Sequence, residues 1–283
     1  EDGVYQLATS ADMLWFAAQQ NDATRGTIDT ETGLVVRDVL NAKLAADIDL
    51  SEVLWTPIGG TSVASTAYAG PTKYNGTFDG NDYTVTFAID SGNYRGLFAY
   101  TDGATIKNVT TAGSITGANN LAGIVANAAN TEIIDCTNKA AITCTGTSGL
   151  TYVAGIAAQT SGTTTIQGCE NTGAISGANR TAGLVAYANG TTSIVDSINT
   201  GTIAPTGTAN TAFGGLVGYA ANGTVITGSV NAGAVTAANN VGGLVGQSLG
   251  TEISTSYNAG AITATAGSAA QGVGGIVGLV QTG

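Results

Sequence analysis

The chain has no histidine, which removes the commonest general base and the commonest imidazole metal ligand. Charge is scarce too: Asp, Glu, Lys and Arg make up 10% of 283 residues, against about 25% in an ordinary globular domain. No run of about 18 apolar residues occurs, so no segment reads as spanning or inserting into a membrane. The first residues, Glu1-Asp2-Gly3, show neither a basic stretch nor an apolar signal core, as in a processed mature chain or an excised fragment. Cysteine is limited to Cys136, Cys144 and Cys169, with no CxxC pair to suggest zinc. In a secreted chain that odd count would leave one thiol free. No cofactor is expected from this inventory.

The charge that does exist is mostly negative and unevenly placed. The net charge is −11, and 14 of the 19 acids precede residue 103, while no Lys or Arg follows Arg180. Nucleic-acid binding needs clustered cations and is not expected. A chain with 42 glycines and little charge would ordinarily read as disordered. Here 43% hydrophobic residues recur in register, which is the opposite signal. Low charge with abundant Thr, Asn and Gly resembles the make-up of surface proteins, and that resemblance implies an extracellular setting, secreted or wall-attached.

What recurs is a tripeptide, Gly followed by Leu or Ile and a further apolar residue. It begins at Gly96, Gly123, Gly155, Gly183, Gly215, Gly243 and Gly275, at intervals of 27, 32, 28, 32, 28 and 32 residues. Seven copies at two alternating spacings predict a solenoid. Each unit reads as three short β-prone segments between Gly/Asn corners, so the predicted fold is all-β. It is a right-handed parallel β-helix with a small N-terminal helical cap, the hand following from the crossover rule.

Residues 1–57 read as the cap. Thr9-Ser10-Ala11-Asp12 opens a helix running to about Gln20, with Met13, Leu14, Ala17 and Ala18 inward and Trp15 and Phe16 adding apolar bulk. A small separate helical domain is the alternative. Leu44, Ala46, Ile48 and Leu50 alternate as one half-buried strand. Residues 58–95 form first, irregular coils, in which Asp79-Gly80-Asn81-Asp82 reads as a tight turn rather than a calcium loop. The repeats occupy 96–283, with the last coil incomplete and the native protein expected to continue.

Within the repeats, each coil position becomes a column. Ile106, Ile133, Ile166, Ile194, Ile226 and Ile253 form one inward column, and Ile115, Ile142, Ile175, Ile203, Val235 and Ile262 another. Asn138, Asn171, Asn199, Asn231 and Asn258, with Thr111 at the first step, read as a structural asparagine ladder at a corner. A row of ligand-reading amides is the functional alternative. Two residues earlier a serine slot holds Cys136 and Cys169, stacked in adjacent coils and so within conceivable reach of a disulfide.

Two surfaces are candidates for binding. One is a flat, uncharged side carrying Ser114, Thr116, Thr143, Ser176, Thr202, Thr236 and Thr263. The other is a ridge of longer corners in every second coil, with Thr147, Ser148, Thr206, Thr208 and Ser268. Blunting of an edge, or a two-coil duplication, accounts equally for that ridge. Catalytic residues are not found: no nucleophile–histidine pair is possible, and the acids of the repeats offer at most Glu132 and Asp135 near Lys139.

Gly215-Leu-Val-Gly218, Gly243-Leu-Val-Gly246 and Gly275-Ile-Val-Gly278 resemble the GLUG repeat of bacterial surface proteins. Tyr5-Gln-Leu-Ala-Thr-Ser-Ala-Asp12, Trp55-Thr-Pro-Ile-Gly59 and Gly76-Thr-Phe-Asp-Gly-Asn81 look like the segments that precede such repeats. GLUG regions occur in adhesins and beside the protease domain of immunoglobulin A-cleaving metalloproteases, whose zinc motif is missing here. The resemblance implies a non-enzymatic adhesion or display module. Its partner would be a glycan or protein on a host or neighbouring cell, or another copy of the chain. The flat Thr/Ser/Ala side resembles the ice-binding face of some β-solenoid antifreeze proteins, which gives an ice-binding alternative. A polysaccharide-active β-helix enzyme is the second alternative.

Overall fold

The computed structural model describes residues 3–22, 25–28, 30–31, 35–36, 38–60, 72–147, 149–207, 211–221, 223–265 and 272–281. The chain winds as a parallel β-solenoid of about seven coils with one short helix at its N-terminal end. Four stacks of parallel strands run its length; a separate two-stranded antiparallel pair, Thr27–Ile28 with Val35–Val36, lies outside them. In one coil the chain passes through Val217–Ala220 (sheet I) and Val225–Thr227 (sheet II). It then takes Val230–Asn231 and Val235–Ala237 (sheet III) and Asn239–Gly242 (sheet IV), before re-entering sheet I at Val245–Ser248. Among the described residues, sheets I and IV have seven strands each, sheet II nine and sheet III thirteen.

The coil therefore has a fourth sheet where three sides were expected. Segments before each tripeptide, such as Asn119–Ala122 and Val153–Ala154, are short strands paired to one another. They read as corners because they are only two to four residues long and rich in Asn and Gly. Alternate coils differ where the spacing predicts. The connection from Cys144 to Val153 is long and that from Gly177 to Thr181 short.

Each apolar column is buried through the stack and opens only in the last coils, where Ile253 and Ile262 are half-buried and Ile276 is exposed. Leu97, Ile124, Ile156, Leu184, Leu216 and Leu244 are all inaccessible, as are Ile106, Ile133, Ile166, Ile194 and Ile226 and the run Ile115, Ile142 and Ile175. The register is strict: Ile133 pairs with Ile166, Ile166 with Ile194, and Ile194 with Ile226. One buried aliphatic side chain contributes about 1.5–3 kcal/mol, so three columns hold together coils that could not fold singly.

A polar column runs beside them. Asn138 Nδ2 donates to Asn171 Oδ1 at 2.8 Å; Asn171 to Asn199, Asn199 to Asn231 and Asn231 to Asn258 follow at 2.7 Å. The other proton of each amide goes to the carbonyl two residues on, as from Asn199 to Gly201 at 3.0 Å. Thr111 closes the first step by donating to Asn138 Oδ1 at 3.1 Å. In that coil the two segments of sheet III merge into the single strand Thr110–Gly117.

The tripeptide glycine packs directly on this ladder. A β-carbon at Gly123, Gly155, Gly183 or Gly215 would collide with the side-chain amide of Asn138, Asn171, Asn199 or Asn231. Beyond the bend, sheets IV and I meet so closely that the columns on either side are Ala or Gly. Ala122, Ala154, Ala182, Gly214 and Gly242 stand on one side, and Ala126, Ala158, Ala186, Gly218 and Gly246 on the other. A methyl at Gly214 would strike the Val217 carbonyl, and one at Gly246 the backbone of Ala212 and Phe213.

The serine slot follows the same economy of space. Cys136 and Cys169 are buried and unbonded, each with Sγ against the carbonyl two residues back, as Ser197 and Ser229 do with their hydroxyls. Burial pushes the Cys136 thiol well above its usual range.

At the N-terminal end, α1 (Ser10–Asn21) starts in a capping box. Asp12 N donates to Thr9 Oγ1 and Thr9 N to Asp12 Oδ2. Its buried residues are Met13, Phe16, Ala17 and Gln20, whereas Ala18 is exposed and Leu14 only half-buried. Phe16 takes the inward place because its ring joins Tyr74 and Phe78, with centroids 6.2 and 6.4 Å away. Residues 41–50 also differ from one alternating strand. Asn41–Leu44 joins sheet II and Ile48–Leu50 joins sheet III, with a corner between them, so the chain is already coiling there.

The ladder gives a direct test. Asn199→Ala removes one link and strands the Asn171 donor and the Asn231 acceptor in the interior, so urea unfolding should show a loss of about 2–4 kcal/mol.

Candidate functional site

Sheet III places the flat-side residues in two columns flanking its buried Ile/Val. Thr116 pairs with Thr143, Thr143 with Ser176, and Ser176 with Ala204. Ile203 pairs with Val235, which brings Thr236 next, and Thr236 pairs with Thr263. Ser114 and Thr202 belong to the other column, where alanines such as Ala141 fill the neighbouring steps. Hydroxyls thus recur about every 4.8 Å along one line. Ser114, Thr143, Thr202 and Thr263 are exposed, and Thr116, Ser176 and Thr236 half-buried.

Of the ridge residues, Thr147 and Thr206 are exposed on long corners, while Ser148, Thr208 and Ser268 lie outside the described residues. The acids of the repeats are spread out. Glu132 sits in sheet II between Thr105 and Thr165, and Asp135 occupies a left-handed corner with φ 50°. Among the described residues no three His, Cys, Asp or Glu side chains are grouped to hold a metal. A shallow pocket of about 370 Å³ at the N-terminal end of sheet II includes Gln6, Lys43, Asp79 and Lys107 in its lining. Its acid is engaged, because Lys107 Nζ lies 3.5 Å from Asp79 and Asn108 donates to the same carboxylate.

The most chemically varied surface lies at the lip of the seam between sheets IV and I. In sheet I, Gln159 pairs with Tyr187, Tyr187 with Tyr219, and Tyr219 with Gln247. Across the seam stand Tyr152 and Arg180, one residue before the paired Val153 and Thr181. Tyr152 and Tyr187 stack at 5.5 Å and 18°, while Tyr187 and Tyr219 meet edge-on at 5.5 Å and 71°. The Arg180 guanidinium lies 4.4 Å from the Tyr187 centroid and 4.3 Å from that of Tyr219, and Nη1 donates to the Tyr152 hydroxyl at 3.4 Å. Arg180 holds φ 27°, a left-handed value shared along the column by Tyr94, Asn120, Ala212 and Asn240.

This strip was not singled out from the sequence. Tyr152, Arg180, Tyr187 and Tyr219 follow one another at 28, 7 and 32 residues, which looks irregular until two columns are seen to face each other.

No family model matches the chain, and no curated protein matches it. Among solved structures it is similar to a candidate immunoglobulin A1 protease from Bacteroides ovatus, with a TM-score of 0.66. Identity is 14%, over 98% of this chain and 84% of that one, a likeness of fold.

The first coils carry the clearest titrating contact. Asn130 donates to Asp102 Oδ1 at 2.9 Å and Lys73 to Oδ2 at 3.0 Å, and together they hold that carboxyl below its ordinary value of 3.8 against a smaller opposing effect of burial. A depressed carboxyl stabilises the fold above its unfolded pKa and ceases to do so as pH falls through the folded one. Asp102→Asn should therefore remove part of the acid-side loss of stability in thermal melts below 3.8, by roughly 0.5 kcal/mol for so open a site.

Proposed function

We propose that this solenoid is a non-enzymatic adhesion and display module of a bacterial surface protein, working outside the cell, and that its repeats are of the GLUG type. The observation that carries the reading is the strict coil-to-coil register, which sets uncharged hydroxyl, amide and aromatic side chains in long outward lines. Such lines suit many weak contacts with an extended glycan or protein better than chemistry at one point. The strand pairing supports the same reading, since Glu132 is paired with Thr105 and Thr165 and Glu170 with Thr137 and Ile198, whereas glycoside cleavage needs two carboxylates facing one bond. A protease of the zinc type is disfavoured by the sequence, which has no histidine.

The purified chain should bind members of a glycan and host-glycoprotein array. A blank array would make it a spacer. Release of reducing ends or unsaturated products from a polysaccharide panel, lost in Glu132→Gln, would instead make it an enzyme.

A second reading is favoured by one observation, the column Thr116–Thr143–Ser176–Ala204–Thr236–Thr263 on a flat sheet face. If that face binds ice, the protein shapes growing crystals and lowers the freezing point below the melting point, and Thr143→Tyr abolishes both. Ordinary freezing of a concentrated sample removes this reading.

A further inference from the structure

The seam strip does not follow from the needs of the solenoid. Interior columns repeat one kind of side chain because each position stacks on its own equivalent. The two columns at the lip change from amide to tyrosine to arginine. Arg180 is the last cation in the sequence, and among the described residues it makes no ion pair with a carboxylate. Its charge is spread over tyrosine faces that leave the guanidinium edge available. A planar guanidinium can stack through its face while donating in plane to a carboxylate. Only one of its in-plane protons is given to the Tyr152 hydroxyl.

We propose that this strip binds an acidic oligosaccharide, with a sugar carboxylate on Arg180 and pyranose faces against Tyr187 and Tyr219. The proposal rests on the reading of the chain as a binding module and names the ligand class. Three features of the strip select a sugar acid. The rings of Tyr187 and Tyr219 each rest against Arg180, and Tyr187 also against Tyr152, but stay half-exposed; the apolar surface and hydroxyl tips left uncovered match a ring that is C–H on its faces and hydroxylated at its rim. Gln159 and Gln247 flank them in the same column; their Oε1 atoms accept from Asn127 and Asn240, which leaves the Nε2 donors for sugar hydroxyls. The coil spacing of about 4.8 Å is close to the length of one sugar ring, so a chain lying along the axis meets a new side chain at each step. An acidic peptide would satisfy Arg180 but leave the tyrosine faces without a ring partner. The strongly negative segment does not oppose this placement, since 14 of the 19 acids precede residue 103 and Arg180 lies coils away.

The test is calorimetric titration of the full chain with oligogalacturonate, its methyl ester, sialyllactose and poly-glutamate. Binding of either sugar acid is expected, weakened by salt, with the ester and poly-glutamate at least about tenfold weaker. Oligogalacturonate alone would indicate an internal uronate chain, and sialyllactose alone a terminal sugar acid. Arg180→Gln and Tyr187→Ala should each cost about tenfold or more, whereas Thr163→Val, exposed on sheet II, should cost nothing. Arg180→Lys keeps the charge without the planar fork, so it should also weaken binding while the thermal midpoint stays in place. Uptake of neither acid, equal affinity for poly-glutamate, or affinity untouched by Arg180→Gln would overturn the proposal. So would an Arg180→Lys variant that loses stability and no affinity, which would make the arginine a staple for the tyrosines. An array whose hits ignore Arg180→Gln sinks the strip and leaves adhesion standing; a blank array together with no uptake removes both.

Discussion

Everything in this structure depends on one hydrogen-bonded contact, the asparagine amide wedged between its neighbours above and below and the bend of the next tripeptide. A buried amide carries two donors and an acceptor that must all be met. In a stack of equivalent coils the simplest partner is another amide at the same position, so one asparagine calls for the next. The ladder then occupies the space where a β-carbon of the tripeptide residue would stand. Glycine at that point is required by asparagine in the adjacent corner together with the backbone carbonyl of the next coil. The two most regular columns of the sequence are therefore two halves of one contact.

The close approach of sheets IV and I follows from it. Once the chain can turn sharply at glycine, the strands on either side of the bend come together at backbone distance, and only Ala and Gly fit between them. This explains why the tripeptide is followed by Gly in the later coils and by Ala in the earlier ones: Gly218 and Gly246 stand where Ala126, Ala158 and Ala186 do. The larger side chains are pushed to the lip of the seam. Sheet III, free of that constraint, keeps a flat face on which small hydroxyls alternate with alanine.

Periodicity made the architecture legible, because 28 and 32 residues recur with the same apolar and amide positions inside them. It placed the three buried aliphatic columns, the asparagine corner and the longer connection of every second coil. It failed wherever a segment was short or stacked on something other than itself. The strands of sheet IV are two to four residues long, too short to show alternation. In α1 the inward face was set by an aromatic partner far along the chain, Tyr74, which no helical wheel includes. Buried threonines such as Thr101 and Thr131, bonded to each other at 2.8 Å, find their partner one coil away, where no local pattern shows it. The tyrosines and Arg180 were missed for a related reason. A period is found by asking what repeats at one position, whereas this strip is made by two positions that face each other and do not repeat.

That difference separates scaffold from recognition in a solenoid. A uniform column satisfies itself: each member is the partner of the next, and nothing remains for a ligand. Asn171 illustrates the case, with its amide protons given to Asn199 and Gly173 and its acceptor filled by Asn138. A column that changes character from coil to coil has unmatched chemistry by construction. Gln159 beneath Tyr187 accepts from Asn127 of its own stack but has no such partner on the tyrosine side, and Arg180 across the seam has no carboxylate partner among the described residues. On a scaffold this regular, an unmatched guanidinium among aromatic faces has either to stiffen its neighbours or to meet something from outside. The flat threonine face differs again, for its hydroxyls are small, close to uniform and open to water. The free-energy gain from an incoming ligand is greatest where the scaffold leaves both charge and apolar surface half-covered, and that condition is met at the lip of the seam.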